Sequence, residues 1–274
     1  MLEMPILTIA MQRSRGRADV ALSVRDGTTR LDRLYQSGSA KAMLPQTHGA
    51  VPEVVFLNTS GGLTGGDGLA YGLSVGPGAQ AVATTQTAER AYASAGGVAR
   101  VEVSLQLGAG AALEWLPQET ILFDRSALMR RTVVDMAADA RLLMLEMLVL
   151  GRAAMGERVQ SLDLFDRREI RRGGRVVLVD PLRLRSDHLC GQSAILGDNR
   201  AVAAIALVAP DAEAALGAVR ERLAGLADVE AGASAWDGKL TVRLLARNGF
   251  ALRRAVVAVL AALRAGPLPR VWQI

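Results

Sequence analysis

Lysine, histidine, cysteine and aromatic residues are all scarce in this chain: 274 residues hold two Lys, two His, one Cys and 4% aromatics. Each shortage excludes a class of chemistry. Neither lysine, Lys41 or Lys239, follows a glycine-rich loop, so there is no P-loop, whose Lys must reach the phosphates. A single cysteine, Cys190, forbids an intramolecular disulfide framework and suits a reducing compartment. Two histidines, His48 and His188, without G-x-S-x-G or a Cys-His signature, leave standard hydrolase chemistry little to work with. With so few aromatics the core must be aliphatic, and half of all residues are hydrophobic. The stretch MLEMPILTIAMQR puts its acid before its bases and reads as no signal peptide. The longest uncharged stretch, 68–88, is too rich in Gly, Thr, Gln and Ser for a bilayer. These features together point to a cytoplasmic protein.

Arginine is plentiful. Lysine takes only two of the 32 basic positions against 27 acidic ones, giving a net charge of +5. The densest cluster, Arg167, Arg168, Arg171, Arg172 and Arg175, flanks Gly173-Gly174 without interleaved aromatics. It reads as a solvated hairpin tip, not a nucleic-acid site.

Period-two alternation runs through the first two thirds. Val101, Val103, Leu105 and Leu107 share one face; so do Leu69, Tyr71, Leu73 and Val75. REIRRGGRVVLVD reads as a hairpin. The apolar run 140–151 fits a fully buried central strand. Then the pattern changes. Segment 201–209 is a strand, and 211–226 a helix with Asp211 as N-cap and Leu216, Val219, Leu223 and Leu226 on one stripe. Asp237-Gly238 turns the chain into another strand. Asn248 caps a helix that stops at Gly266-Pro267. The expectation is a mainly β fold of stacked sheets with helices in the C-terminal third. One unit spans 1–274, with a β-rich body over about 1–200 and a mixed part over 201–274.

Few residues cluster as chemistry requires. LNTSGGLTGGDGL (57–69) matches neither the P-loop nor the dinucleotide fingerprint, and Asp67 would repel an anion. It reads as a glycine-built corner between strands, with Asp67-Gly68 as turn signal. His188 and Cys190, two apart on a strand, would form half a site for a soft divalent metal. Glu146, alone in an apolar run, must find an Arg, a hydrogen bond or a cation. Glu119 and Asp124 are the carboxylates a β-rich carbohydrate-active enzyme would use.

LYQSGSAKAMLP (34–45), LNTSGGLTGGD (57–67), TTQTAERAY (84–92), LEWLPQETILFD (113–124), the GRAAMGE segment (151–157) and LPRVW (268–272) resemble, in order and over nearly the whole chain, the urease accessory protein UreD, also called UreH. The chain departs at Gly68 and Ala93, where that family usually carries a larger residue. The resemblance implies a non-catalytic scaffold in nickel delivery to urease. It implies an elongated β fold, a partner UreF that recruits the GTPase UreG, docking on urease apoprotein, and nickel passing through an internal tunnel. No tightly bound cofactor is expected, only transient nickel. On that reading at least two of five carboxylates in apolar or glycine-rich surroundings line the route: Asp67, Glu89, Glu119, Glu146 and Glu157. The apolar tail around Trp272 and Arg270 would contact UreF.

Overall fold

The computed structural model describes residues 12–47, 49–189 and 195–273. His48, Cys190 and most of the N-terminal stretch read for a leader pattern lie outside the described residues. In chain order the strands are β1 Arg15–Arg25, β2 Thr28–Gly38, β3 Ala40–Met43, β4 Glu53–Asn58, β5 Gly68–Val75, β6 Gln80–Thr85, β7 Glu89–Ala91, β8 Ala99–Leu107 and β9 Ala112–Trp115. There follow β10 Thr120–Leu122, β11 Ser126–Met136, β12 Arg141–Leu150, β13 Leu162–Arg172, β14 Arg175–Arg185 and β15 Ala201–Val208. The helix α1, Leu216–Ala224, precedes β16 Val229–Trp236 and β17 Lys239–Ala246, and α2, Gly249–Leu263, closes the series.

Two sheets stack. One has the order β14-β13-β11-β8-β5-β1-β2, and the other runs β16-β17-β15-β12-β9-β6-β4-β3. From β4 to β13 the chain shuttles between them, so successive strands of one sheet come from successive coils. The pairs β5–β8, β8–β11 and β11–β13 are parallel, as are β4–β6, β6–β9 and β9–β12. A parallel pair needs a long crossover; here the crossover is a strand of the opposite sheet. The molecule is thus mainly β, with its two α-helices in the C-terminal third.

The alternation read in the sequence is the inward face of these coils. Leu69, Tyr71, Leu73, Val75, Val101, Val103, Leu105 and Leu107 all enter a core between the sheets. Phe56, Tyr71 and Trp115 stack at its centre, with centroids 5.0 and 5.8 Å apart. A second core lies between the far side of the second sheet and α1, α2 and the C-terminal tail. Strand β12 serves both: Leu142, Met144 and Leu148 face the first, Leu143, Leu145 and Met147 the second. That is why its sequence is apolar without alternation.

Local signals met mixed fates. Gly173 and Gly174, both at positive φ, turn the β13–β14 hairpin, and Asp237-Gly238 turns β16 into β17. Asn248 Oδ1 accepts a hydrogen bond from the Ala251 amide at 2.9 Å, the N-cap geometry expected. Asp211 does not cap: its side chain makes no cap hydrogen bond and pairs with Arg141 at 3.3 Å instead. The chain enters α1 through a 3-10 turn, Ala212–Ala215, and within α1 itself only Val219 is fully buried. The arginine cluster is not uniformly solvated either. Arg168 is buried, and Arg172 donates to the carbonyl oxygens of Gly238 and Asp237.

The glycine-rich corner carries the chain from β4 in one sheet to β5 in the other. Its left-handed residues are Gly61 and Gly66, with Gly62 at φ 152°. Gly68 is not among them; it begins β5, so Asp67-Gly68 is not the turn. At Gly65 an added Cβ would meet the Ser94 side chain and the carbonyl oxygens of Gly96 and Gly97. The corner's amides are spent internally. Leu63 N donates to Arg90 O (2.7 Å), Gly66 N to Val98 O (3.2 Å) and Gly68 N to Ser14 O (2.9 Å). Asp67 accepts from the Ser14 and Thr64 amides, both at 2.8 Å. These amides are therefore not available to cradle a phosphate, and Asp67 adds a negative charge beside them.

Candidate functional site

A slit crosses the second sheet. Strand β6 stops at Thr85 and β7 resumes at Glu89; β9 stops at Trp115 and β10 resumes at Thr120. The breaks lie side by side because β10 pairs β7, with Thr120 opposite Glu89. Pro117, which lacks the N–H a ladder needs, falls in the second break. On the neighbouring β12, β9 covers Arg141–Met144 and β10 covers Leu148–Leu150, so the three residues around Glu146 have no strand partner on that side.

Behind the slit is a cavity of about 120 Å³, room for several waters. Asn58, Glu89, Trp115, Thr120 and Glu146 line it from the slit side, and Tyr71, Leu128 and Arg130 from the facing sheet. Two of the five carboxylates singled out in the sequence therefore meet in one space.

Glu146 is 3% exposed. Its Oε1 accepts from Trp115 Nε1 at 3.3 Å. Its Oε2 lies 2.8 Å from Arg130 Nη1, yet off any N–H direction, so this is a charge contact and not an aligned hydrogen bond. Arg130 aims its aligned donors at Asp166, which is fully buried, with Nε to Oδ1 at 3.0 Å and Nη2 to Oδ2 at 2.7 Å. Such a fork is the strong form of the pair. Burial pushes the Glu146 carboxyl above its ordinary range, and Arg130 only partly offsets that. Burial pushes Asp166 up too, but Arg130, with Arg168 and Arg243, outweighs it and holds Asp166 low.

The ionic chain continues. Arg168 lies 3.1 Å from Asp180 and 3.9 Å from Asp166, and Asp180 also meets Arg243 of β17. Three arginines and three carboxylates thus cross-link the sheets through their common core. Thr132 Oγ1 and Arg168 Nε, buried beside the chain, lack hydrogen-bond partners.

Glu89 closes the other end of the cavity. Asn58 Nδ2 donates to both its oxygens at 3.3 Å, and the Arg90 amide donates at 3.0 Å. Burial raises this carboxyl as well. The Tyr71 phenol is pushed far up, first by burial and then by the Glu89 charge.

The remaining candidates lie elsewhere. Asp67 is a backbone cap in the glycine corner. Glu119 turns to Arg253 of α2 at 3.5 Å. Glu157 pairs with Arg152 at 2.8 Å and accepts from the Asp124 and Arg152 amides. Asp124 accepts from the Ser161 and Gln160 amides, which hold its carboxyl low; a glycosidase acid would need the opposite. His188 sits in a 3-10 turn, not on a strand, with Nδ1 accepting from the Arg185 amide at 3.3 Å. Cys190 lies outside the described residues. Among the described residues no three His, Cys, Asp or Glu side chains converge as a metal cluster. Among the described residues no helix is long and apolar enough to cross a membrane.

Trp272 packs on its own chain. It is 5% exposed, and Nε1 donates to Thr84 Oγ1 (3.2 Å) and Leu116 O (3.1 Å). Arg253 stacks on the indole at 4.6 Å and donates to Trp272 O and Gln118 Oε1. Arg270 and Gln273 are exposed among the described residues of the tail.

Arg130, Asp166 and Arg168 carry the inter-sheet network, yet the sequence had not singled them out as site residues. Their signal is parity: Arg130 shares its face with Leu128 and Val134, and Asp166 and Arg168 share theirs with Leu164 and Ile170.

A family model described as the UreD urease accessory protein matches residues 14–273. Relatives each described as urease accessory protein UreD are similar along their whole length. One from Cereibacter sphaeroides (strain ATCC 17025) is 57% identical over 265 residues, covering 96% of each chain. One from Dinoroseobacter shibae is 54% identical over 274 residues, covering 99% of this chain and 96% of its own. One from Rhizobium leguminosarum bv. trifolii is 47% identical over 266 residues, covering 96% of each.

Proposed function

Because the chain belongs to the UreD family of urease accessory proteins, we propose that it is a non-catalytic cytoplasmic scaffold that carries nickel, as cargo, toward urease apoprotein. It bridges urease to UreF and, through UreF, to the GTPase UreG. The cavity behind the slit is what supports a metal route. Two carboxylates from opposite ends of one cavity roomy enough for several waters, Glu89 and Glu146, supply oxygen donors. Both sit where burial disfavours an uncompensated negative charge, so a proton or a divalent cation relieves each. Arg130 beside Glu146 adds a fixed positive charge that opposes tight retention. A conducting path needs this weak hold at each stop. Asp67, Glu119 and Glu157 do not line this cavity, so we place the stops at Glu89 and Glu146. At the C-terminal tail, Arg270 faces a partner while Trp272 holds the segment from within.

The test is Glu89→Ala and Glu146→Gln, each co-expressed with UreF, UreG and urease apoprotein. The expected result is an assembled complex and urease with reduced nickel and activity. Unchanged nickel in both variants, or loss of nickel only where assembly is lost, overturns the route.

A further inference from the structure

Strand β2 is the outer strand of the seven-stranded sheet, and among the described residues none pairs with its free side. It is exposed along nearly its whole length. The second sheet does not reach over it, because β3, its nearest strand there, is only four residues long. The β1–β2 register skips Asp32: Ala21 pairs Arg33 and Leu22 pairs Leu31. This bulge places Leu31 and Leu34, three residues apart, on the same face as buried Leu22 and Val20. Both leucines are nonetheless 39% and 38% exposed. Arg30, Arg33 and Tyr35 take the outer face, opposite Ser23, Ala21 and Asp19. Asp32 turns to Arg25 of that face.

Read outward from its middle, the edge Arg30-Leu31-Asp32-Arg33-Leu34-Tyr35 is complementary to its own reverse. An identical edge laid antiparallel with Asp32 opposite Arg33 brings Leu31 to Leu34 and Arg30 to Tyr35. Each pair occurs twice and the faces agree: leucines on the core side, charges and ring on the outer side. These are an ion pair, an apolar pair and a cation–π pair, the contacts that stabilise adjacent strands. Charged edge strands usually deter association. Here like charges disfavour the two nearest alternative registers. Slipping by one residue sets Arg33 on Arg33, or Asp32 on Asp32.

We propose that two copies of this chain associate edge to edge through β2, about a two-fold axis between Asp32 and Arg33, merging their seven-stranded sheets into one. Such an isologous contact is the ordinary geometry of a homodimer. It leaves the slit and its carboxylates untouched.

Sedimentation velocity on the purified full chain tests this. The expected species has twice the 28.9 kDa chain mass. Arg33→Asp sets two carboxylates against each other at both symmetric positions and raises the dissociation constant about tenfold or more. Arg33 is exposed, so the variant keeps the wild-type circular dichroism. A second measurement uses Leu31→Cys/Leu34→Cys in a Cys190→Ser background. Oxidation gives a covalent dimer, because positions 31 and 34 of opposite chains are direct partners. Leu31→Cys alone stays monomeric, its two copies being about 10 Å apart along the strands and out of disulfide reach. A wild-type chain that is monomeric across a hundredfold concentration range overturns the proposal. So does a dimer indifferent to Arg33→Asp, or equal cross-linking of the single and double cysteine variants.

Discussion

Replacing Arg130 with methionine should unfold the protein at markedly lower temperature, while replacing its partner Glu146 with glutamine should not. Met fills much of the arginine stem but removes the charge that Asp166, fully buried, relies on. What remains for Asp166 is Arg168 at 3.9 Å. Stripping one partner from a buried pair costs about 3–5 kcal/mol. At about 2 °C per kcal/mol for a chain this long, the midpoint falls by about 6–10 °C. Glu146→Gln keeps the Arg130–Asp166 fork and removes a carboxylate whose charged form its surroundings disfavour, so the change stays within about 1 kcal/mol.

The pH dependence follows from the two directions. Asp166 is held low in the folded state. Its contribution is present above the unfolded pKa and lost as pH falls through the depressed folded value. The gap between wild type and Arg130→Met therefore narrows in acid. Glu146 is raised, so its contribution is complete below the unfolded pKa and lost as pH rises through the folded one. Glutamine does not titrate, and Glu146→Gln gains on wild type as pH rises. Far-ultraviolet circular dichroism during heating at one fixed scan rate gives the midpoints. An Arg130→Met midpoint equal to wild type, or a Glu146→Gln loss as large as that of Arg130→Met, would refute this account of the network.

Trp272→Ala should cost about 3–5 kcal/mol by cavity formation, and removing residues 268–274 should lower the melting midpoint and UreF binding together. Full-stability protein that no longer binds UreF would show that the indole acts at the interface and not in the core. Gly65→Ala should weaken the contact between the corner and residues 94–97, seen as faster proteolysis there and a lower midpoint. An unchanged midpoint would mean that the neighbouring carbonyl groups shift at no cost.

Much of the fold was legible because one physical signal, alternate burial, recurs from coil to coil. Strands β5 and β8 follow from it, while β12 follows from an unbroken apolar run, both its faces being buried. Hairpins at Gly173-Gly174 and Asp237-Gly238 follow from residues that tolerate positive φ. Asp26-Gly27 carries the same signature, but β2 beyond it is exposed on both faces and shows no alternation. Strand β16 was hard to read for a similar reason: Ala, Gly and Ser dominate a half-exposed edge. The parallel winding was not legible, since pairing between coils leaves no mark in local pattern. Of the site, Glu89 and Glu146 could be picked out as carboxylates in unusual company. Their meeting could not, because it depends on two strand breaks in adjacent coils lying level.

The wall behind that cavity is finished by the last residues of the chain. Gln118, which lines it, donates to Val271 O at 2.8 Å and accepts from Arg253, which in turn holds Trp272 O. These residues follow every strand of both sheets in chain order, so a ribosome delivers them after the coils have had time to wind. The nascent protein therefore passes through a stage with both sheets formed and the tail groove between Thr84 and Leu116 still open. Arrival of the tail, not completion of the sheets, marks the moment when Gln118 is fixed at the cavity wall.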